Sequence, residues 1–340
     1  MLSKVTPPPP IPTSTPGAPF LFEPLTVPEL AFHPLAEFTI EGLRSRTYPG
    51  GTIQVRSVMT VTGEFTRYFI DYPSDDLTIT GIMQVPHGEG PFPVVILNHG
   101  YIPRNRYWSG ADTWNAAAFL NRRGYLTIAP DFRSWGESDT DNSFFSTGQV
   151  IDVLNLISSL ASLPEADPQR LGMWGHSMGG GVTSKAITID PRIKAAVLYA
   201  PVSANDARIM ARWGSGCKGG LSSGEEGDEC AGAEVLTDDL DEYLHLAYRS
   251  AVSDPQFMAQ VSPINYFQSV VAPVQIHIGS EDTTTPPEWS DEIRQALQAA
   301  GKEVEYYAYP GQGHSFEGQD WRVFMERVAD FYDRYLTNTR

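Results

Sequence analysis

The chain has 340 residues, of which 41% are hydrophobic and 19% are charged, values typical of a folded globular protein with a substantial core. Its formal net charge of -17, from 41 acidic and 24 basic side chains, repels phosphate backbones, so we expect no nucleic acid partner. No stretch approaches the ~20 consecutive apolar residues of a membrane-spanning helix, so we expect no transmembrane segment.

The N-terminal residues 1–30 are rich in proline and contain no apolar segment of the kind that forms the core of a signal peptide. Such a composition favours extended polyproline conformations, and we interpret the segment as a disordered tether. We interpret it as what remains after removal of an export or lipid-anchor signal, which predicts an extracytoplasmic protein, either secreted or held at the cell surface. The alternative is the disordered tail of a cytoplasmic protein.

The pattern of apolar residues divides the rest of the chain into two kinds of structure. Residues 38–85 alternate between apolar and polar, with turn residues between the runs, which predicts consecutive antiparallel strands. After Pro93, short buried runs are separated by helical stretches, and this alternation requires crossover connections. We therefore predict a mostly parallel sheet with helices on both faces. The candidate strands of this second part are residues 94–98, 125–130, 170–174, 195–199, 274–278 and 303–308.

Residues 175–179 read G-H-S-M-G, fit the pattern G-x-S-x-G, and follow directly on the buried run 171–174. A strand, a tight turn and a helix form the context in which this pattern presents a nucleophilic serine. The glycines are needed because a side chain beside so sharp a turn would collide with the neighbouring strand and helix. The pattern predicts that Ser177 is a catalytic nucleophile, and a glycine-rich structural turn is the alternative.

The predicted catalytic domain spans residues 31–340, and residues 203–262 interrupt its alternation of strands and helices. Long insertions in compact domains are more often lids or binding loops than simple connections. We predict a partly helical cap over the active site, and a peripheral surface excursion is the alternative. The aromatic residues in or beside this insertion are predicted either to line a substrate pocket or to form a small core: Trp213, Tyr243, Tyr248 and Phe257.

Cys217 and Cys230 are the only cysteines, and they bracket a stretch of mostly polar and glycine residues within the insertion. A disulfide between them would contribute about 3 kcal/mol to stability and would be favoured in an oxidising compartment. Two free thiols are the alternative. Neither a Cys-x-x-Cys pair nor clustered histidines accompany them, so the sequence predicts no metal site.

A nucleophilic serine needs a base within hydrogen-bond reach and a carboxylate that orients the base. Asp282 follows the predicted strand 274–278, and His314 lies in a glycine-flanked loop after the predicted strand 303–308. The order serine, acid, histidine fits the G-x-S-x-G motif. We predict Asp282 as the acid and His314 as the base. Glu281 is the alternative acid, and the structural alternatives are a solvated carboxylate and a surface histidine.

A tetrahedral intermediate also needs two hydrogen-bond donors directed at its oxyanion. The amide of Met178, directly after the nucleophile, is predicted as one donor. The amide of Tyr101, in the loop after the predicted strand 94–98, is predicted as the other. The alternative for His99 and Gly100 is a plain turn, with His99 hydrogen-bonded beneath the sheet.

Four segments together resemble the α/β-hydrolase superfamily: residues 99–101, 131–138, 175–180 and the loop that carries His314. Within it, residues 72–81 leading to 91–94 are similar to the catalytic domain of prolyl-oligopeptidase-like (S9) enzymes and to related esterases and dienelactone-hydrolase-like enzymes. The resemblance implies the α/β-hydrolase fold, with a mostly parallel central sheet, N-terminal antiparallel strands, helices on both faces and an inserted cap. It also implies that the enzyme uses no metal or organic cofactor.

The S9 oligopeptidases carry a large β-propeller, and the residues before Tyr68 are too few for one, which favours ester over peptide hydrolysis. We predict a serine carboxylesterase that cleaves small-molecule esters through an acyl-enzyme on Ser177. One alternative is an S9-like exopeptidase or amidase with the same triad. The other is a catalytically inactive protein that uses the fold for binding.

Overall fold

The computed structural model describes residues 33–216, 218 and 234–337, which are organised around a nine-stranded sheet. The predicted tether and the predicted pairing of Cys217 with Cys230 lie outside these described residues. The strands are β1 (Gln54–Val61), β2 (Phe65–Ser74), β3 (Leu77–Pro86), β4 (Phe92–Asn98), β5 (Leu126–Pro130), β6 (Ala166–His176), β7 (Ile193–Tyr199), β8 (Val274–Gly279) and β9 (Val304–Tyr309).

The strands follow the order β1-β2-β3-β5-β4-β6-β7-β8-β9 across the sheet. The first three strands pair antiparallel, and β3 also pairs antiparallel with β5. From β5 to the β9 edge every pairing is parallel, as expected where helices supply the crossover connections. The antiparallel N-terminal part and the parallel remainder confirm the predicted fold class.

Residues 38–45 were predicted as the start of the strand region, and this was wrong. Ala36–Phe38 form one turn of 3-10 helix and Ile40–Ser45 form helix α1. Thr39 caps α1, since its hydroxyl accepts a hydrogen bond from the Gly42 amide at 3.0 Å. Ile40 and Leu43, three residues apart, are buried, as in a short amphipathic helix. A segment of six residues contains too few turns to reveal the helical period in the sequence.

Helices cover both faces of the sheet, as predicted. Val94 and Ile96 of β4 belong to one buried cluster, and the alternate residues Val95 and Leu97 belong to another. All four are fully buried, as expected of a central strand covered on both faces. The longer helices are α2 (Trp114–Asn121), α3 (Thr147–Ser159), α4 (Met178–Ile189), α5 (Asp206–Trp213), α6 (Glu242–Val252), α7 (Pro255–Val261), α8 (Pro287–Ala299) and α9 (Gly318–Tyr332). The first cluster contains residues of α3, α4 and α8, and the second contains residues of α2 and α9.

One helical stretch, Phe144–Ser162, has the length and apolar composition of a membrane span, with a hydropathy of 1.2. It contains α3, and 83% of its most apolar window is buried within the described fold. Val150, Val153 and Leu154 of this stretch are fully buried in the core between α3 and the sheet. Packing inside the protein therefore accounts for its apolar composition.

The described part of the predicted insertion contains the helices α5, α6 and α7. Tyr248 and Phe257 are fully buried in a separate apolar cluster, so these two aromatic residues form core. Trp213 lines a cavity, and Tyr243 is 66% exposed. The segment is partly helical as expected, and its role as a cap stays a prediction.

Candidate active site

Ser177 occupies the tight turn between β6 and α4, where its backbone has φ 54° and ψ -117°. A positive φ is strained for a residue with a side chain and persists only where the surroundings enforce it. Here the Ser177 amide donates to the Tyr199 carbonyl at 3.0 Å, and the Ser177 carbonyl accepts from the Val202 amide at 3.1 Å. These bonds tie the turn to the end of β7, and the Ser177 side chain lines a cavity.

Gly175 and Gly179 flank this turn and have no room for a side chain. A Cβ at Gly175 would lie 2.1 Å from the Gly179 carbonyl oxygen, and a Cβ at Gly179 would lie 2.1 Å from the Asn98 carbonyl oxygen. Both contacts are with backbone atoms, which cannot shift without displacing the turn or the end of β4. The glycine spacing of the motif therefore has a direct steric cause.

We expect Gly175→Ala to lower the free energy of unfolding by about 3 kcal/mol, because the added methyl group overpacks a rigid site. Urea denaturation followed by circular dichroism measures the change. Gly63→Ala is the matched control, since a Cβ at Gly63 meets nothing within 4 Å, and we expect a change within about 0.5 kcal/mol. Equal stability of the two variants would contradict the steric explanation.

Asp282 lies in the turn after β8 and is held by four hydrogen bonds. Its Oδ1 accepts from the amides of Thr284 at 2.8 Å and Thr285 at 2.9 Å. Its Oδ2 accepts from the Thr285 hydroxyl at 2.8 Å and from His314 Nδ1 at 2.8 Å. Burial opposes ionisation of Asp282, but the hydrogen bonds from His314 and Thr285 hold its pKa below the usual value. Glu281, the alternative acid, is exposed.

His314 lies between the buried carboxylate and the cavity. Its Nδ1 is bonded to Asp282, whose side chain is fully buried, and its ring lines the same cavity as Ser177. The loop that carries His314 follows β9 and is bonded to the Asp282 turn, since the Glu281 amide donates to the Gln312 carbonyl at 3.0 Å. The structure therefore brings Asp282 and His314 into direct contact and places His314 and Ser177 on the wall of the same cavity.

A second histidine–aspartate pair, His176 with Asp112, lies next to this arrangement and was not predicted from the sequence. His176 Nδ1 lies 2.8 Å from Asp112 Oδ1, and its Nε2 lies 3.1 Å from the His314 carbonyl oxygen. Asp112 Oδ2 accepts from the Gly100 amide at 2.7 Å. The pair thus connects the nucleophile turn, the His314 loop and the loop after β4.

The electrostatics of this pair favour its charged form. Burial opposes the charge on both side chains, but each stabilises the other: the pKa of His176 is raised by Asp112, and the pKa of Asp112 is lowered by His176. The stabilisation from His176 is complete below its unfolded pKa of 6.5 and is lost as pH rises through the raised value. The stabilisation from Asp112 is complete above its unfolded pKa of 3.8 and is lost as pH falls through the lowered pKa of the folded state.

We expect His176→Gln to lower the free energy of unfolding by about 2 kcal/mol at pH 5.5 and by less at pH 9, because the stabilisation from the charged pair is lost as pH rises through the raised pKa of His176. Urea denaturation at the two pH values measures the difference. His87→Gln, an exposed residue directly after β3, should change stability by less than about 0.5 kcal/mol at both pH values. An equal or larger effect of His176→Gln at pH 9 would contradict the charged pair.

The residues whose amides are the predicted oxyanion donors lie on the loop after β4 and at the start of α4. Tyr101 and Met178 both line the cavity that contains Ser177. His99 is buried, with Nε2 at 3.0 Å from the Asp131 carbonyl oxygen and Nδ1 at 2.7 Å from the Gly100 carbonyl oxygen. The hydrogen-bonded His99 considered as the structural alternative is therefore present, and it holds the loop that carries Tyr101.

The cavity has a volume of about 210 Å³. Its wall includes Ser177, His314 and three ionisable side chains, those of Lys185, Asp206 and Glu234. The apolar residues of the wall include Val202, Ile209, Met210, Trp213 and Pro263. Within residues 33–216, 218 and 234–337, no group of three His, Cys, Asp or Glu side chains is arranged to hold a metal ion.

Comparison with known proteins places these features in a wider context. The sequence profile of the alpha/beta hydrolase family matches residues 94–330. An uncharacterized 31.7 kDa protein of Escherichia coli is 25% identical over 280 residues, which cover 75% of this chain and 93% of that protein.

Two solved structures share the fold. Acetyl xylan esterase 1 from Thermoanaerobacterium sp. has a TM-score of 0.60 and 17% identity, over 91% of this chain and 99% of that chain. Acylaminoacyl peptidase from Pyrococcus horikoshii has a TM-score of 0.61 and 20% identity, over 82% of this chain and 43% of that chain. At these identities the similarity concerns the fold.

Proposed function

The chain belongs to the alpha/beta hydrolase family, and from this premise we propose that it is a serine carboxylesterase acting on small-molecule esters. One observation carries the proposal. Asp282 is hydrogen-bonded to His314, and His314 shares a cavity with Ser177, which stands on a strained turn. A carboxylate, an imidazole and a hydroxyl in this series are the groups that acyl transfer to serine requires.

In the proposed first step, His314 Nε2 takes the Ser177 hydroxyl proton as Oγ attacks the ester carbonyl carbon. Asp282 holds the ring through Nδ1 and stabilises the imidazolium that forms. The intermediate then collapses, its bond to the alkoxy oxygen breaks, and the alcohol leaves with the proton from His314. In the second step, His314 activates a water molecule that attacks the acyl-enzyme, releasing the carboxylic acid and restoring Ser177.

The charge on the tetrahedral oxygen is proposed to be stabilised by the backbone amides of Tyr101 and Met178. Loss of one such donor typically lowers kcat by ~10²- to 10³-fold. Because both donors are backbone groups, replacing the side chains leaves them in place. The hydrogen bond that the Gly100 amide donates to Asp112 Oδ2 supports the position of the adjacent Tyr101 amide.

Esters are favoured over peptides because the similarity extends over 99% of the acetyl xylan esterase chain but over 43% of the acylaminoacyl peptidase chain. The test compares p-nitrophenyl esters with p-nitroanilides of the same acyl groups, with Ser177→Ala as the background. We expect kcat/KM to be higher for every ester than for the anilide of the same acyl group. A higher kcat/KM for the aminoacyl anilides would replace the esterase with a peptidase or amidase.

We also propose that the insertion, residues 203–262, covers the active site. Ile209, Met210 and Trp213 of α5 support this proposal, since they contribute to the wall of the cavity that contains Ser177. If the insertion were a peripheral surface excursion, only the sheet and the helices that cover it would line the cavity. The insertion is therefore the part of the chain in which we expect acyl-group selectivity to be determined.

A further inference from the structure

His176 directly precedes the proposed nucleophile in the chain, and the proposed mechanism gives it no role. Its side chain is 7% exposed. Its ring packs against the rings of Tyr199 and His314, with centroids 4.3 Å and 4.8 Å away. Burial of an imidazole is costly unless its nitrogens have hydrogen-bond partners. The partners of the two ring nitrogens therefore indicate what His176 does at this site.

Both ring nitrogens of His176 face hydrogen-bond acceptors. Nδ1 lies 2.8 Å and 2.9 Å from the two carboxylate oxygens of Asp112, and Nε2 lies 3.1 Å from the His314 carbonyl oxygen. The Asp112 carboxylate also accepts from the Gly100 amide at 2.7 Å. A neutral imidazole has one N-H group, whereas an imidazolium has two. The two contacts are therefore hydrogen bonds at the same time only when His176 is charged.

The two bonds of His176 lead to two parts of the proposed catalytic machinery. The bond from Nε2 reaches the backbone of His314, the proposed base. The bond from Nδ1 reaches Asp112, which holds Gly100 beside the proposed oxyanion donor. Little free space separates these groups, since a Cβ at Gly100 would lie 3.2 Å from both Asp112 Oδ2 and Ser177 Cβ. A displacement of His176 would therefore move groups that surround the nucleophile.

We propose that His176, held in its charged form by Asp112, is a positioning residue that fixes the His314 loop relative to Ser177. The proposal rests on the proposed function, in which His314 is the base and Ser177 is the nucleophile. Because His176 and Ser177 are adjacent in the chain, one side chain links the nucleophile turn to the backbone of the base. A misplacement of about 1 Å in such a site can cost about 10²-fold in rate.

The charge on His176 makes this positioning dependent on pH. As pH rises through the raised pKa of His176, the ring loses one proton. The Asp112 carboxylate retains the proton on Nδ1, so Nε2 loses its proton and two acceptors then face each other at the His314 carbonyl. The hydrogen bond to His314 is thus present below the raised pKa and lost above it. We expect kcat to decline on the alkaline side, with little change in KM.

The other titratable groups around His176 do not explain such a decline. Asp112 and Asp282 each have a pKa below the usual value because they interact with histidines, so both stay ionised at neutral and alkaline pH. Burial raises the pKa of Tyr199, so its hydroxyl stays neutral in the assay. His314 must be unprotonated to act as a base, so the loss of its proton does not lower kcat. An alkaline decline would therefore report on His176.

Two amide substitutions separate the two bonds of His176. A glutamine amide reaches the position of Nε2 and keeps a donor for the His314 carbonyl, whereas an asparagine amide reaches the position of Nδ1 and keeps a donor for Asp112. We expect kcat for p-nitrophenyl acetate to fall by about 10- to 100-fold in His176→Asn and by less than about fivefold in His176→Gln. In both, KM should stay within about threefold of the wild-type value, because the binding cavity is retained.

The pH profile gives a second measurement that a purely structural role of His176 would not change. Neither amide titrates, so we expect the alkaline decline in kcat to be absent from His176→Gln. His87→Gln, at an exposed position directly after β3, should retain the decline of the wild-type protein. All rates are expressed per folded protein, with the folded fraction measured by circular dichroism under assay conditions. Should His176→Asn fail to fold, the profiles of the wild-type protein and His176→Gln decide the question.

The protonation of His176 can also be measured without any activity assay. In protein labelled with ¹⁵N-histidine, the ring signals that disappear in His176→Gln belong to His176. We expect both of its ring nitrogens to carry a proton at pH 6, and one of them to lose it as pH rises through the same value at which kcat declines. A single protonated nitrogen at pH 6 would overturn the charged form.

The outcomes separate this inference from the proposed function. Equal kcat for His176→Asn and His176→Gln, or an alkaline decline that persists in His176→Gln, would overturn the positioning role while Ser177-dependent hydrolysis remained. A raised KM with unchanged kcat in His176→Asn would also overturn it, since His176 would then affect substrate binding. Absence of Ser177-dependent hydrolysis by the wild-type protein would instead overturn the proposed function.

Discussion

Ser177→Ala is expected to lower kcat for p-nitrophenyl ester hydrolysis by about 10⁵- to 10⁶-fold, because no other group in the proposed mechanism can form the acyl-enzyme. The residual rate should come from the oxyanion donors and from substrate binding. Stability should change little, since alanine at this position has the same backbone geometry and loses only the hydroxyl. Steady-state kinetics with purified variant protein measures the effect.

Ser290→Ala is the control for this prediction. Ser290 is also a buried serine, but it lies on α8 and its hydroxyl has no hydrogen-bond partner among the described residues. We expect its kcat to stay within about twofold of the wild-type value, as for substitutions remote from the reacting groups. If Ser177→Ala kept more than a hundredth of the wild-type activity, Ser177 would not be the nucleophile.

Asp282→Asn is expected to lower kcat by about 10⁴-fold, and the hydrogen bonds of Asp282 give the reason. Two backbone amides donate to Oδ1, so the asparagine carbonyl oxygen should occupy that position. The asparagine NH₂ group then takes the position of Oδ2 and donates to His314 Nδ1. This places the imidazole proton on Nε2, and the ring can no longer accept the Ser177 proton.

Glu281→Gln, one residue earlier and exposed, is the control and should retain wild-type kcat. The kinetics of both variants are compared with the same p-nitrophenyl ester at pH 8. A loss of less than tenfold in Asp282→Asn would show that the tautomer of His314 does not depend on Asp282. A large loss in Glu281→Gln would instead favour Glu281 as the acid.

The sequence was sufficient to predict the sheet and the general position of the candidate site. Buried strands have a strong apolar pattern, and Ser177, Asp282 and His314 each lie in the loop or turn after a predicted strand. Because the carboxyl ends of parallel strands meet at one edge of a sheet, residues far apart in the chain were expected to converge there. Helix α1 was missed because its six residues are too few to distinguish helical from alternating spacing.

Pairs formed by side chains on separate elements of the fold could not be predicted in the same way. Asp112 is 64 residues from His176, and no pattern in the loop that carries it indicates a partner. Lys185 lies within an ordinary helical stretch, and its contact with Asp206 depends on how α5 packs against α4. Such contacts are determined by tertiary packing, which local periodicity does not encode.

The most direct test of the account is covalent labelling with a fluorophosphonate probe, followed by peptide mass spectrometry. Such probes react with the activated serine of a hydrolase, so we expect stoichiometric modification of the wild-type protein on the peptide that contains Ser177, and none in Ser177→Ala. A wild-type protein that stays unlabelled, or one labelled on a different residue, would contradict the assignment of Ser177, Asp282 and His314 as a catalytic triad.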